Sequence, residues 1–539
     1  MSTLIPARDA LLGQLPRRLL AVPGWWPAVG YWGGLVLLVL AILSPLVFMP
    51  LARDQALFAY SGQVILQGGA PYRDVFEQKG PATHYLFALV VAVGGNSQVA
   101  IRGFFYLVLA GAVLLGAGFA RRMAGPEAGL AAAVAAAFAL LQGDWGTPWQ
   151  TGQVEDLLLL LSWLALAVVL DRDKAFRAWR PWAWGVLWGL AVALKPTAVL
   201  PAAVMTLVVA WHASRNEGLG AAALWLVKAT VAGCVPVGLA LGAVAYQGAW
   251  PWFWEQVVEH NVRVYAKVYR RPWQAVVMLL DPRWSRLELL ALLALGYRAI
   301  RDRWLWQLLG WQLLGHYGAV VWQGKFWPYH WTPAVATLAV LAAVGIQRMV
   351  RLVLRAGGRG RGRTWACWGL IAALGLLAGT VDVPSLVRTG QQMRLLVLGH
   401  RNAELFRAPY KVGAGAYQYT LPVAQYLAEH TRPSETIQVW GHECLLYFLS
   451  QRRAASRFAT NRPLCQRKNP RYRQWRREFL QHLRQRPPRY FVVVRRDGVP
   501  QFPRGSDREL KQFSELQQWL QAHYRLERRF EYFWLYRRR

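Results

Sequence analysis

Apolar runs of roughly 16 to 24 residues recur from Tyr31 to Val381, and a run of about 20 is what crossing the hydrocarbon core of a bilayer requires. About eleven spans follow from this pattern: residues 31–50, 99–120, 127–142, 154–170, 181–198, 200–212, 222–245, 285–299, 304–324, 331–347 and 364–381. The fifth and sixth are short and share Lys195 and Pro196, which predicts a bent pair reaching only partway across. After Val381 the pattern changes to short mixed elements: a helix over 417–430, a strand over 436–440 and a short helix over 444–449. A helix over 471–486, a buried strand over 490–494, an amphipathic helix over 507–523 and a strand over 530–536 follow. The expected fold is a mainly α, polytopic helical membrane protein with a small C-terminal α/β domain. Its segments are residues 1–30, a membrane module over 31–381 with an outer loop at 51–98, and the tail 382–539.

Composition agrees with the bilayer as main solvent: 55% of the 539 residues are in the apolar class, 17% are charged, and 29 are Trp. A secreted mini-protein is excluded. A formal charge of +34 would in a soluble chain point to nucleic acid. Here the cations fall in every second gap between apolar runs: Arg17 and Arg18, Arg121 and Arg122, residues 172–180, Arg215, residues 298–303, then six Arg between Gln347 and Arg363. That alternation is the positive-inside signature, so no nucleic acid is expected and membrane lipids are the standing partner. Arg17 and Arg18 precede a run of full spanning length and no A-x-A site follows, which predicts a signal anchor with the N-terminus in the cytoplasm. An odd number of spans then places the tail outside a bacterial-type plasma membrane. The tail carries 30 Lys plus Arg against 12 Asp plus Glu, a solvated basic surface or one that meets anionic headgroups or polysaccharide. Cys444 and Cys465 share it, either pairing in an oxidising compartment or remaining thiols. No C-x-x-C or H-E-x-x-H spacing exists, and no cofactor is implied.

The outer loop holds the densest chemistry. Asp54 follows the first span by about four residues, which puts a carboxylate at the depth of lipid headgroups. Gly68 to Pro81 contains Arg73, Asp74, Glu77 and Lys79, the last in Lys79-Gly80-Pro81. Residues 54–66 and 84–93 read as amphipathic helices lying along the outer surface, the second being too short to cross comfortably.

In these residues the chain resembles the GT-C superfamily of lipid-phosphate-sugar-dependent glycosyltransferases, nearest to its protein O-mannosyltransferase and aminoarabinose transferase branches. The resemblance runs through Gln153-Val154-Glu155-Asp156, Leu194-Lys195-Pro196, His260 to Tyr265, and Gly324-Lys325-Phe326-Trp327-Pro328-Tyr329-His330, into the tail from Tyr417 to Arg457. It implies a polyprenyl-phosphate-linked sugar as donor, a protein, lipid or glycan as acceptor, Asp54 at the catalytic centre and Lys79 on the lipid phosphate. Two departures stand out: Asp54-Gln55 where many members have two acids, and Lys79-Gly80-Pro81 where Lys-Pro-Pro is usual. No D-x-D pair stands in the loop, so a divalent metal is not implied.

The chemistry is consistent with that likeness. An acceptor hydroxyl attacking an anomeric carbon needs one base, and a departing phosphate needs positive charge and no acid. Asp54 is the expected base of an inverting hexosyltransferase and Asp156 an orienting acid. Lys79 is the expected phosphate contact with Arg263 and Lys325, while Arg73, Glu155, Lys195, Tyr329 and His330 line the cavity. Plainer readings stand beside these. Asp54 marks the membrane edge paired with Arg53; Lys79 belongs to a self-compensating patch with Arg73, Asp74 and Glu77. Glu155 and Asp156 favour a helix N-terminus, Tyr329 and His330 anchor an aromatic belt, and His84 and His260 are structural. The competing class is a transporter or flippase of lipid-linked sugars, with the same cations and no base.

Overall fold

The computed structural model describes residues 25–142, 151–171, 179–265, 282–295, 300–355, 364, 367–371, 417–498 and 504–539. The basic stretch 356–363, most of the expected span 364–381 and the expected boundary at 381/382 lie outside these residues. The helices are α1 Trp25–Leu43, α2 Arg53–Leu66, α3 Pro81–Gly94, α4 Gln98–Ala124, α5 Pro126–Gln142 and α6 Val154–Val168. They continue with α7 Arg180–Leu194, α8 Val199–Glu217, α9 Leu219–Tyr246, α10 Pro282–Leu295, α11 Arg303–Gln323 and α12 Thr332–Arg355. Five stretches among the described residues are long and apolar enough to cross a membrane: Val29–Phe48, Gln98–Ala124, Pro196–Glu217, Leu219–Tyr246 and Pro328–Arg355. The protein is an integral membrane protein of mainly helical architecture. The expected partial pair is corrected here: Lys195 is extended at φ −144°, Pro196 opens a 3-10 turn, and the second arm runs on for 22 residues from Pro196 to Glu217.

Local signals set the helix ends. Ser97 accepts the amide of Ala100 at the start of α4, Asp302 accepts that of Leu305 at the start of α11, and Pro126 fills the first turn of α5. The centre is α12, buried from Thr332 to Ile346 and packed on α4, α5 and α10. Basic residues gather at one end of this bundle. Arg122 pairs with Asp302 and donates to the carbonyl of Leu170, Arg351 reaches the carbonyl of Ala124, and Arg348 that of Leu293. The starts of α4, α6 and α12 therefore lie at the other end, and Asp54, Lys79, Glu155 and Lys195 lie there with them.

In the tail, α13 (Tyr417–Glu429), α14 (Leu445–Ser450), α15 (Tyr472–Gln485) and α16 (Ser514–His523) surround a four-stranded sheet. Its strands β1 (Ile437–Trp440), β2 (Tyr490–Val494), β3 (Tyr524–Arg529) and β4 (Phe533–Arg538) lie in the order β1-β2-β4-β3. The pair β1/β2 is parallel and fully buried, while β4 runs antiparallel to β2 and β3. β3 is absent from the sequence reading because its Arg and Glu residues alternate poorly, and only Tyr524 is buried. Cys444 and Cys465 are both free thiols.

The helix α2 departs from expectation. Rather than lying on a bilayer surface, it is buried along its length between α3 and the tail. Its polar groups are satisfied inside the protein, which removes the need for headgroups or water. Tyr60 accepts the amide of Ala454 and stacks on Tyr447 at 4.8 Å, Ser61 meets His84 at 2.9 Å, and Gln63 donates to Asn96 and to the carbonyl of Phe448. At Gly62 a Cβ would come within 2.8 Å of the backbone of Phe87 and Ala88, so a side chain there would force α2 and α3 apart.

Candidate active site

Of the residues from Arg53 to Val64, only Asp54 is not buried. Its backbone is pinned by buried neighbours. Arg102 donates to the carbonyl of Met49 at 3.1 Å, to that of Pro50, and to Thr151 through both its carbonyl and its hydroxyl. Gln55 donates to the same Thr151 carbonyl at 2.9 Å, and Arg53 pairs with Glu443 of the tail at 2.7 Å. Gln153 Nε2 lies 3.4 Å from Asp54 Oδ2. The bilayer end of the first span, the start of α6 and the tail thus fix one carboxylate with its face open.

Asp54 lies within electrostatic reach of Glu77, Lys79 and Tyr265, and these, with Gln78 and Lys325 to Pro328, are likewise partly exposed and define the candidate cleft. Lys79 sits 5.3 Å from the ring of Tyr329 and 5.9 Å from that of Phe58. Its loop is held by the buried Tyr72, whose hydroxyl donates to the Lys79 carbonyl at 2.8 Å, and by Asn261, which donates to the Gln78 carbonyl. Burial acts to lower the pKa of Lys79, but the carboxylates of Glu155, Asp54 and Glu77 outweigh it and hold the ammonium above its ordinary range. Burial pushes Glu77 up to about 7, with Asp54 adding to the rise and Lys79 opposing it. Lys325 donates to the carbonyl of Tyr265 and lies 4.2 Å from its ring. The following Phe326 takes φ +52°, a strained value for a non-glycine residue.

Behind Lys79 the buried Glu155 pairs with Lys195, and His330 Nε2 stands 3.8 Å from the same carboxylate oxygen. This Glu155 lies within electrostatic reach of Lys79, so the pair forms the cleft floor. The close fit depends on Gly80: a Cβ there would lie 2.3 Å from the carbonyl oxygen of Ala193, while Thr83 donates to the carbonyl of Leu194 next to it. The glycine in Lys79-Gly80-Pro81 thus lets the loop rest on the end of α7 beside Lys195.

Arg263, expected on the donor phosphate, Arg73, expected in the cavity, and Asp156, expected as an orienting acid, are each held by other groups. Arg263 is exposed and pairs with Glu259 one turn earlier at 3.2 Å. Arg73 pairs with its neighbour Asp74 at 2.9 Å and donates to the carbonyl of Gln247. Asp156 is fully buried and accepts the Gly152 amide at 2.7 Å, the place of a helix-capping carboxylate. The acid that meets the cations is Glu155.

Other contributors were not singled out in the sequence. Arg462 of the tail feels Asp54 and Arg53, and its burial lowers it from the usual guanidinium range. Burial pushes Glu443 up to about 7 against the pull of Arg53, and drives His442 well below the ordinary imidazole value. His260 accompanies them as a structural group, 3.1 Å from Asn469, its pKa pushed down to about 4 by burial and by Lys325. Their link to the outer loop crosses up to 390 positions of sequence, as Arg53–Glu443 does, and no local signal announces it.

Residues 78–238, which include Lys79, Glu155, Asp156 and Lys195, match a family model described as dolichyl-phosphate-mannose-protein mannosyltransferase. Among solved structures, the fold is similar to ArnT from Cupriavidus metallidurans bound to undecaprenyl phosphate, with TM-score 0.61 and 15% identity over 94% of this chain and 98% of that one. The same protein in the apo state gives TM-score 0.60 at 15% identity over 95% and 98%. Comparison with curated proteins gives no match in sequence. The family match and the shared fold bear out the resemblance to GT-C glycosyltransferases.

Proposed function

We propose that this protein moves a sugar from a polyprenyl-phosphate donor to an acceptor hydroxyl at the outer membrane face, with inversion at the anomeric carbon. The observation that carries the reading is Asp54, open to the cleft at the start of an otherwise buried helix and facing Lys79. In this scheme the acceptor oxygen forms a bond to the anomeric carbon while its proton passes to the Asp54 carboxylate. The bond from that carbon to the phosphate oxygen breaks, and its electron pair leaves with the phosphate. Lys79 neutralises the growing charge, Lys325 assists from the mouth, and Glu155 holds Lys195 and orients Lys79 from below. Tyr329 and His330 shape the floor. Asp156 and Arg102 keep the start of α6 in place, and Arg73 and Arg263 serve the surface.

Outer placement is supported by the separation of the cleft from the cationic end of the bundle, which the positive-inside rule assigns to the cytoplasm of a bacterial-type cell. The polyprenyl donor is supported by the fold shared with ArnT bound to undecaprenyl phosphate. Sugar transfer and flipping of lipid-linked sugars separate in one assay. Purified protein in detergent, given radiolabelled polyprenyl-phosphate hexose and an envelope fraction, transfers label and leaves bare polyprenyl phosphate; intact donor after prolonged incubation rejects the reading.

A further inference from the structure

A second charged site stands at the other end of the tail sheet. Arg489, Arg525, Arg537, Arg538 and Arg539 line a cavity of about 600 Å³. They meet because β2 begins where β4 ends and β3 begins: Tyr490 is paired with Arg537, Tyr524 with Arg538, and Arg525 lies directly across from Arg537. Like charges facing each other across antiparallel strands repel. Within the protein this is relieved only in part. Glu527 pairs with Arg537 at 3.2 Å and Glu435 approaches Arg489 at 3.8 Å, while Arg525, Arg538 and Arg539 have no ion pair among the described residues. Five guanidinium groups outnumber the carboxylates beside them, which leaves the site cationic, and concave walls concentrate such a field.

The placement separates this site from the cleft. Gly441, His442 and Glu443 follow the C-terminal end of β1, where Glu443 pairs with Arg53, whereas Arg489 precedes the N-terminal end of the parallel β2. Five residues of extended strand set the two about 17 Å apart. The arginine cavity is therefore a site separate from the one around Asp54.

We infer that this cavity binds a compact ligand carrying two or more phosphate groups, through the guanidinium forks of Arg525, Arg538 and Arg539. A volume of this order suits a small molecule or the end of a phosphorylated saccharide. Planar guanidinium forks match phosphate oxygens two at a time, which ammonium groups do not do. The inference does not depend on the sugar-transfer reading.

The test uses the full chain in phosphatidylcholine nanodiscs, titrated calorimetrically with inorganic tripolyphosphate. The expected result is saturable binding that weakens as salt is raised, and at least tenfold weaker binding in the double variant R525E/R538E. The conservative R525K/R538K variant keeps charge without the fork and is expected to fall between the two. Wild type that fails to bind at millimolar tripolyphosphate, or binds no better than R525E/R538E, overturns the site. A second arm measures co-sedimentation with phosphatidylglycerol vesicles, which the double variant is expected to leave unchanged. Loss of vesicle capture with tripolyphosphate binding intact would assign the cavity to lipid headgroups and overturn the inference.

Discussion

Asp54 and Glu77 line one cleft and face Lys79 from two sides, yet only Asp54 is assigned the proton transfer. Glu77, pushed up to about 7, carries its proton at mildly acidic pH, so it adds little repulsion to a donor phosphate there. A carboxyl whose folded value lies above its unfolded one binds more protons when folded, so stability falls as pH rises through the interval from about 4.5 to about 7 and then levels. Glu443 adds to the same interval. In thermal unfolding at pH 5 and pH 8, Glu77→Gln is expected to lose a part of the drop that wild type shows; an unchanged drop would place Glu77 in a solvated setting. At this scale the sequence was informative where a residue's place is set locally. Asp54 was picked out by its distance from the end of a span, and Lys79 by the proline two positions on, and the roles of both belong to the proposal. Arg102, Glu443 and Arg462 were not legible because their roles are made by partners brought in from distant parts of the chain. Arg263 and Arg73 each have an acid close by in sequence, Glu259 and Asp74, that pairs with them, which the sequence reading did not weigh for Arg263.

Among the elements, the junction of α3 and α7 carries the cleft floor. Gly80→Ala introduces a methyl group against the carbonyl of Ala193, a backbone atom that has no rotamer to change. Overpacking of this kind costs about 1–3 kcal/mol, and the loop bearing Lys79 is displaced. The expected outcome is a turnover reduced at least tenfold with correct membrane insertion, measured on purified variant; normal turnover would show that Lys79 does not depend on this contact. The pair Glu155–Lys195 makes a second test. Glu155→Gln leaves a buried ammonium without its partner, a change worth about 3–5 kcal/mol, whereas Glu155→Gln with Lys195→Met is expected to regain most of that stability. Detergent melting curves check both. The buried strand β2 and most helices were legible in their periods, whereas the single helix expected over 507–523 is two, Ser506–Leu510 and Ser514–His523. The burial of α2 was not legible, because composition shows an apolar segment with few charges and does not show whether lipid or another part of the protein covers it. The Arg457 clamp illustrates the same limit. It joins Glu478 of α15 to Glu255 of the short helical segment Trp254–Glu259 after α9, 2.9 Å from Glu255, and only the fold reveals that these elements touch.

For the molecule as a whole, the cleft and the basic clusters mark opposite ends of the same helices. Glu217, at the end of α8, and Glu429, at the end of α13, are both exposed and lie on opposite sides in the proposed topology. With the four native cysteines replaced, Glu429→Cys is expected to react with a membrane-impermeant maleimide in intact cells, and Glu217→Cys only after permeabilisation. The reverse pattern would turn the molecule over and place the cleft in the cytoplasm. The tail is docked on the segment 51–98 through Arg53–Glu443, Tyr60–Tyr447 and the amide of Phe76 on the carbonyl of Arg457 at 2.8 Å, so both parts of the chain meet around Asp54. All of this arrangement converges on one carboxylate. The most direct measurement compares Asp54→Asn with wild type in donor binding and in single-turnover release of polyprenyl phosphate. The account predicts unchanged binding and release slowed by about 10²–10⁴-fold, the range for removal of a general base; release at the wild-type rate would contradict it.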